Sequence, residues 1–291
     1  MTILKVGALQ LALNKSNNLD YVINSIEKFC AENEALELVV LSELAIGGSG
    51  AKNTEYTLDK YINTFASLAK KLNIWLIPGT FYEHEGNSIF NTAPVFNSKG
   101  ELVTKARKLY PWLPYELYVD SGSKICVFDM PGKGTIGLHI CYDLWFPETS
   151  RALALAGAEL IINPTLTPTK DREIETLMVR TTAAQQQAYY IDVNSCGDQG
   201  CWLSIAADPD GNVLHKSSDQ EDLFTIDVDF DVSHNSRIKG FMGLGQNLKS
   251  YRDRSFNELG SISKNQDYLD NLGDLKDFNK ENQWVLKKLK V

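Results

Sequence analysis

A cysteine at the end of an apolar run is the residue of this chain best suited to covalent chemistry. Gly137-Leu138-His139-Ile140-Cys141-Tyr142-Asp143-Leu144-Trp145-Phe146-Pro147-Glu148 reads as a strand ending at Cys141, a tight turn, and a proline fit for a first helical turn. Such an elbow holds a nucleophile where backbone N–H groups can face an oxyanion. The thiolate is the attacking species, so a base or cation must stand beside it. His139 is the nearest imidazole in the chain, on the same strand face as Cys141, but a dyad needs hydrogen-bond reach. A carboxylate is the other candidate base. Leu38-Val39-Val40-Leu41-Ser42-Glu43 is an apolar strand ending on Glu43, followed by the glycine-rich Ala45-Ile46-Gly47-Gly48-Ser49-Gly50. Partial burial there raises a carboxyl pKa toward neutrality, which suits a general base and acid. Thiolate attack on a carbonyl also needs a cation or donors for the tetrahedral oxyanion. Lys105-Ala106-Arg107-Lys108 places Lys108 just before a proline- and aromatic-rich loop that runs to Glu116. Taken alone, that stretch reads as a basic segment entering a surface loop.

The elements that must position these residues alternate between strand-like and helix-like patterns. Strands are expected at Leu4–Leu11, Leu38–Leu41, Ile74–Ile77, Ile89–Phe96 and Lys124–Phe128. Further strands are expected at Thr135–Cys141, Glu159–Asn163, Tyr189–Asn194, Leu203–Ala207 and Leu223–Val228. Leu19–Phe29, Tyr61–Leu72 and Arg172–Gln187 carry helical apolar spacing. Asp171 is a candidate cap for the last of these, and Pro147 starts a helix that Gly157 ends. Hairpin turns are expected at Asn97–Gly100 and Asp208–Asn212. This order predicts an α/β fold with two packed sheets covered by helices. The composition shifts near Asp253. Residues 1–253 read as one domain and residues 254–291 as a polar tail with isolated Leu269, Leu272, Leu275, Phe278 and Trp284. The tail reads equally as a surface wrap and as an arm against a partner subunit.

Composition narrows the function classes. The 291 residues are 43% hydrophobic, enough to bury a large core. A net charge of −8 disfavours nucleic-acid phosphates and anionic membranes as partners. No basic leader with an apolar core and no membrane-length apolar run occurs, so a cytoplasmic protein is expected. Five cysteines, Cys30, Cys126, Cys141, Cys196 and Cys201, do not form a secreted disulfide pattern. Cys196 and Cys201 lack a nearby histidine to complete a zinc set, and neither metal nor cofactor is expected.

Taken together, the Glu43, Lys108 and Cys141 segments resemble the nitrilase, or carbon–nitrogen hydrolase, superfamily from about Leu4 to Asp253. Gly79-Thr80, Asn91-Thr92-Ala93 and Gly157-Ala158-Glu159-Leu160-Ile161-Ile162-Asn163-Pro164 are similar to its supporting phrases. The resemblance implies a four-layer α-β-β-α sandwich, usually paired into an eight-layer αββα-αββα homodimer. It implies Glu43 as general base, Lys108 as stabiliser of the tetrahedral intermediate, and Cys141 as the nucleophile that forms a thioester. It also implies the Tyr142 backbone N–H as an oxyanion donor. The segment from Arg107 to Glu116 resembles aliphatic amidases and formamidases, in which a second glutamate, here Glu116, positions the substrate and assists proton transfer. Trp112, Trp145, Phe146 and Thr165 are then the candidate pocket residues.

There are departures. Ser42 and Leu44 stand where the family often has proline and an aromatic, and Thr165-Leu166-Thr167-Pro168-Thr169 lacks the aromatic of small amidase pockets. A roomier pocket is therefore expected. The elbow lacks the Cys-Trp-Glu of nitrilases and the basic residues that follow the cysteine in many carbamoyl amino-acid hydrolases. The leading expectation is hydrolysis of a small non-peptide amide to acid and ammonia. An N-carbamoyl (ureido) hydrolase and a catalytically silent binding protein are the alternatives.

Overall fold

The computed structural model describes residues 3–50, 54–113, 116–254, 266–271 and 273. In chain order, the first half comprises β1 (Ile3–Gln10), β2 (Ala12–Leu13), α1 (Leu19–Glu32), β3 (Leu38–Leu41), α2 (Leu58–Leu72), β4 (Trp75–Ile77), β5 (Phe81–Glu85), β6 (Ser88–Phe96) and β7 (Leu102–Arg107). Next come β8 (Cys126–Met130), β9 (Gly134–Leu138), α3 (Pro147–Leu155), β10 (Leu160–Pro164), α4 (Arg172–Gln186) and β11 (Tyr189–Val193). The chain continues through β12 (Cys196–Gly197), β13 (Ile205–Ala207), β14 (Val213–Lys216), β15 (Asp222–Asp229), α5 (Phe230–Lys239), α6 (Asn247–Asp253) and α7 (Gln266–Asp270).

Continuous apolar runs become strands covered on both faces, because alternate side chains then meet two different apolar layers. In β3, Leu38 and Val40 enter the core between the sheets, while Val39 and Leu41 pack with α1 and α2. In β10, Leu160 and Ile162 face the same central core, and Ile161 packs with Leu153 of α3 and Val179 of α4. The first sheet runs β15-β1-β3-β4-β6-β5, with β7 also on β6, and the second runs β14-β13-β11-β10-β9-β8. The centre of each is parallel: β1, β3 and β4 in one, β9, β10 and β11 in the other. The layers are therefore α-β-β-α, as the resemblance implies.

Both expected hairpin turns join antiparallel strands, β6 to β7 and β13 to β14. Gly157, at φ +105°, follows α3 as expected. Asp171 does not cap α4 with its side chain. Its own backbone is already helical, at φ −66° and ψ −12°, and its carboxylate accepts from the Thr169 hydroxyl instead. The strand expected at Thr135–Cys141 stops at Leu138, and a 3₁₀ turn spans Cys141–Trp145. Most of the tail, including the side chains of Leu269, Leu272, Leu275, Phe278 and Trp284, lies outside the described residues. Tyr268 of α7 packs with Leu155, Leu248 and Tyr251 of its own chain, and its hydroxyl accepts from Arg237. Among the described residues, no helix is long and apolar enough to cross a membrane.

Candidate active site

Strand ends of both sheets converge on one place. Glu43 lies two residues beyond β3, Lys108 directly follows β7, and Cys141 lies three residues beyond β9. The carboxyl edge of parallel strands is where open α/β sheets place ligands. The two sheets are stitched there by the Glu43 N–H, which donates to the Thr165 carbonyl just past β10 at 3.2 Å. Behind Glu43, the Thr80 hydroxyl accepts from the Leu44 N–H at 3.0 Å. Gly79, at φ +83°, lets that segment close in, since a Cβ there would sit 2.1 Å from the Ser42 carbonyl oxygen.

Cys141 opens its 3₁₀ turn at φ +49°. A left-handed non-glycine residue costs on the order of 1–3 kcal/mol and persists only where its surroundings fix it. Asp143 is the fixing group. Its Oδ2 accepts from the Ile140 N–H at 3.1 Å, and its Oδ1 accepts from the N–H groups of Leu109 and Tyr110 at 3.0 and 2.8 Å. One carboxylate thus ties the cysteine turn to the chain just after Lys108.

The ionic centre is built on one ammonium. Lys108 Nζ donates to Glu43 Oε1 at 2.8 Å and to Glu116 Oε2 at 2.7 Å. Asn91 Nδ2, from β6, bridges the same two carboxylates at 2.7 and 3.1 Å. The Trp112 N–H adds a third donor to Glu116 at 2.6 Å. Burial raises the Glu43 pKa, Lys108 opposes that rise, and Glu116 adds to it. Burial depresses the Lys108 ammonium, but Glu43, Cys141 and Glu116 outweigh it and hold the pKa well above the ordinary lysine value. Burial, then the Glu43 charge, pushes the Cys141 thiol well above its usual range. The resting thiol is therefore protonated, and a thiolate forms only as its proton leaves. The Cys141 Sγ also faces the Leu166 carbonyl at 4.0 Å.

Glu43, Lys108, Glu116, Trp112 and Cys141 line a single cavity of about 580 Å³. Tyr142 lines a second, much smaller recess of about 10 Å³ on which Cys141 and Trp112 also border. The other candidate pocket residues lie elsewhere. The Trp145 indole N–H donates to Glu175 at 3.0 Å, and Phe146 stacks on Tyr110 with ring centroids 3.6 Å apart. The Thr165 hydroxyl bonds to Asp192 at 3.1 Å in the interior. His139 pairs with the Tyr190 hydroxyl at 3.1 Å, and burial lowers its pKa to about 4. Strand alternation does not carry from His139 to Cys141, because β9 has ended before either residue.

The four-layer sandwich is that of the nitrilase superfamily. The chain belongs to the carbon-nitrogen hydrolase family, whose profile matches residues 5–237. A formamidase of Nitratidesulfovibrio vulgaris (strain DP4) is 30% identical over 215 residues, covering 67% of this chain and 63% of that protein. A formamidase of Bacillus thuringiensis (strain Al Hakam) is 29% identical over 188 residues, 62% of this chain and 56% of the relative. The chain spans about three-fifths of the length of these relatives. Nit3 of Saccharomyces cerevisiae, a member of branch 10 of the nitrilase superfamily, superposes with a TM-score of 0.75 at 25% identity, over 81% of this chain and 93% of that one. The carbon-nitrogen hydrolase of Helicobacter pylori G27 superposes at 0.76 and 23% identity, over 89% and 97%.

Proposed function

We propose that this protein hydrolyses the C–N bond of a small non-peptide amide to a carboxylic acid and ammonia through a thioester on Cys141. The observation that carries this is one ammonium, Lys108, gripped by two carboxylates on the wall of the cavity that also exposes Cys141. Glu43 takes the thiol proton as sulfur attacks the amide carbon, so no free thiolate is needed beforehand. The carbonyl oxygen becomes an oxyanion, stabilised by Lys108 and the Tyr142 backbone N–H. Glu43 then gives the proton to nitrogen, the C–N bond breaks, and ammonia leaves. Water attacks the thioester with Glu43 again as base. The acid departs, and the thiol regains its proton. Glu116 orients Lys108 and the amide and assists the proton transfers that Glu43 carries out. The formamidase relatives support a primary amide as the reacting group.

The test is trapping at sulfur. Iodoacetamide, itself an amide, should alkylate Cys141 ahead of Cys30, Cys126, Cys196 and Cys201, read by peptide mass. Cys141→Ala should keep its melting temperature and lose ammonia release on every amide the wild type turns over. Retained ammonia release by that variant would remove the covalent route.

A further inference from the structure

Building on that hydrolase reading, we propose that the substrate is the primary amide of a neutral, apolar acid longer than acetic acid, and that amides carrying a second carboxylate are rejected. Three observations lead there. The cavity, at about 580 Å³, is in the range that encloses drug-sized ligands, far more than a one- or two-carbon acyl group fills. Beyond the polar cluster, Leu44, Tyr82, Trp112, Tyr118, Leu166 and Pro168 make most of its described wall, with Ser49, Gly50 and Thr169 completing it. The wall begins at the nucleophile, because the Leu166 carbonyl faces the Cys141 sulfur.

The charges decide the second half. Among the described residues lining the cavity, Lys108 is the only cation, and its ammonium is already shared by Glu43 and Glu116. Among the described residues, a substrate carboxylate would meet no unshared cation and two carboxylates nearby. An uncompensated buried charge is strongly disfavoured, whereas an alkyl or phenyl group gains from every apolar carbon it covers. The same reasoning excludes N-carbamoyl amino acids, which carry a carboxylate beyond the ureido group.

The experiment measures ammonia release by the wild type on formamide, acetamide, butanamide, hexanamide, 3-phenylpropanamide, glutaramate (the half-amide of glutaric acid) and N-carbamoyl-β-alanine. N-hexylacetamide is assayed by hexylamine release. The ratio kcat/KM should rise about fourfold per added methylene up to hexanamide. Glutaramate should fall on the order of 100-fold below its neutral counterpart, since its charge stays unpaired. Leu166→Arg, which adds a cation to the wall, should narrow or reverse that gap. Best turnover on formamide, acetamide, glutaramate or N-carbamoyl-β-alanine overturns this inference and leaves the hydrolase intact. Preference for N-hexylacetamide also overturns it, by moving the apolar group to the leaving amine. No release from any substrate sinks the hydrolase reading as well.

Discussion

Two buried ionic clusters in this protein have the same composition and opposite character. Each sets one cation against two carboxylates: Lys108 with Glu43 and Glu116, and Arg172 with Glu175 and Asp192. The lysine cluster opens onto the large cavity beside Cys141. The arginine cluster is sealed from that cavity, and Glu175 meets Cys141 only across a recess of about 10 Å³. Arg172 also donates to the Leu203 carbonyl at 2.8 Å, Asp192 accepts from Asn163 and Thr165, and Glu175 accepts from Trp145 and Thr167. A guanidinium fork with fixed partners suits a joint that must not move, while a compact ammonium suits a site where charge develops and fades. The sealed cluster still serves the open one, because Thr165 and Thr167 flank Leu166, whose carbonyl meets the nucleophile. Charge composition alone therefore does not mark an active site. Access and an adjacent nucleophile do.

The largest expected effect breaks the open cluster without disturbing its shape. Glu43→Gln keeps the Asn91 and Lys108 side chains beside a similar outline but removes the proton acceptor, so kcat on the best amide should fall roughly 10²–10⁴-fold. Glu116→Gln should still fold and turn over poorly, with a smaller loss than Glu43→Gln, because Glu116 positions the amide and assists proton transfer while Glu43 is the base. Steady-state ammonia release from the two variants gives the order. If Glu116→Gln equals the wild type, the site shrinks to three residues. If Glu43→Gln does, the base is elsewhere.

Charge removal should then separate the clusters by stability. Arg172→Met leaves two buried carboxylates without their cation and should lower unfolding free energy by about 3–5 kcal/mol. Lys108→Met removes the same kind of cation, but cavity water can reach its carboxylates, so the loss should be smaller while turnover collapses. Chemical denaturation of both variants makes the comparison. An Arg172→Met variant as stable as the wild type would show that the sealed cluster is not a structural joint.

How much of this was legible depended on range. Glu43 and Cys141 could be placed from the residues themselves, since each lies at the end of a continuous apolar run, and such runs became the doubly covered β3 and β9. Lys108 could not. From its neighbours it reads as a surface lysine, and its burial comes from Glu43 and Glu116, 65 and 8 residues away. Its role came from the family resemblance. The edge strand β7 was missed because Leu102-Val103-Thr104-Lys105-Ala106-Arg107 has one wet, basic face. Asn91 entered only within a supporting phrase of the resemblance, although an amide inside the apolar run Ile89–Phe96 was a signal for a site residue. Tyr82 in the cavity wall had none. Trp145 and Phe146 were candidate pocket residues through the amidase resemblance, and the 3₁₀ turn that carries Trp145 aims successive side chains in widely different directions.

Asp143 gives the smallest effect and the finest test, being a third buried carboxylate held by backbone N–H groups. Burial pushes its pKa up to about 7, against the hydrogen bonds from Tyr110, Leu109 and Ile140 and the charge of Lys108. The folded pKa lies above the unfolded value near 3.8. The unfolded chain therefore releases this proton first as pH rises. Its contribution to stability is full below about pH 4, declines toward pH 7, and is flat above, with a slope of at most about 1.4 kcal/mol per pH unit. Asp143→Asn cannot titrate. The difference in unfolding free energy between wild type and variant, measured from pH 5 to 8, should shrink toward pH 7 and then level off. A difference that stays flat over that interval would mean the three N–H groups outweigh burial and keep the carboxylate ionised throughout. The tie between the cysteine turn and the Lys108 segment would then be a charged one, closer in kind to the sealed arginine cluster than to a neutral hydrogen-bonded strut.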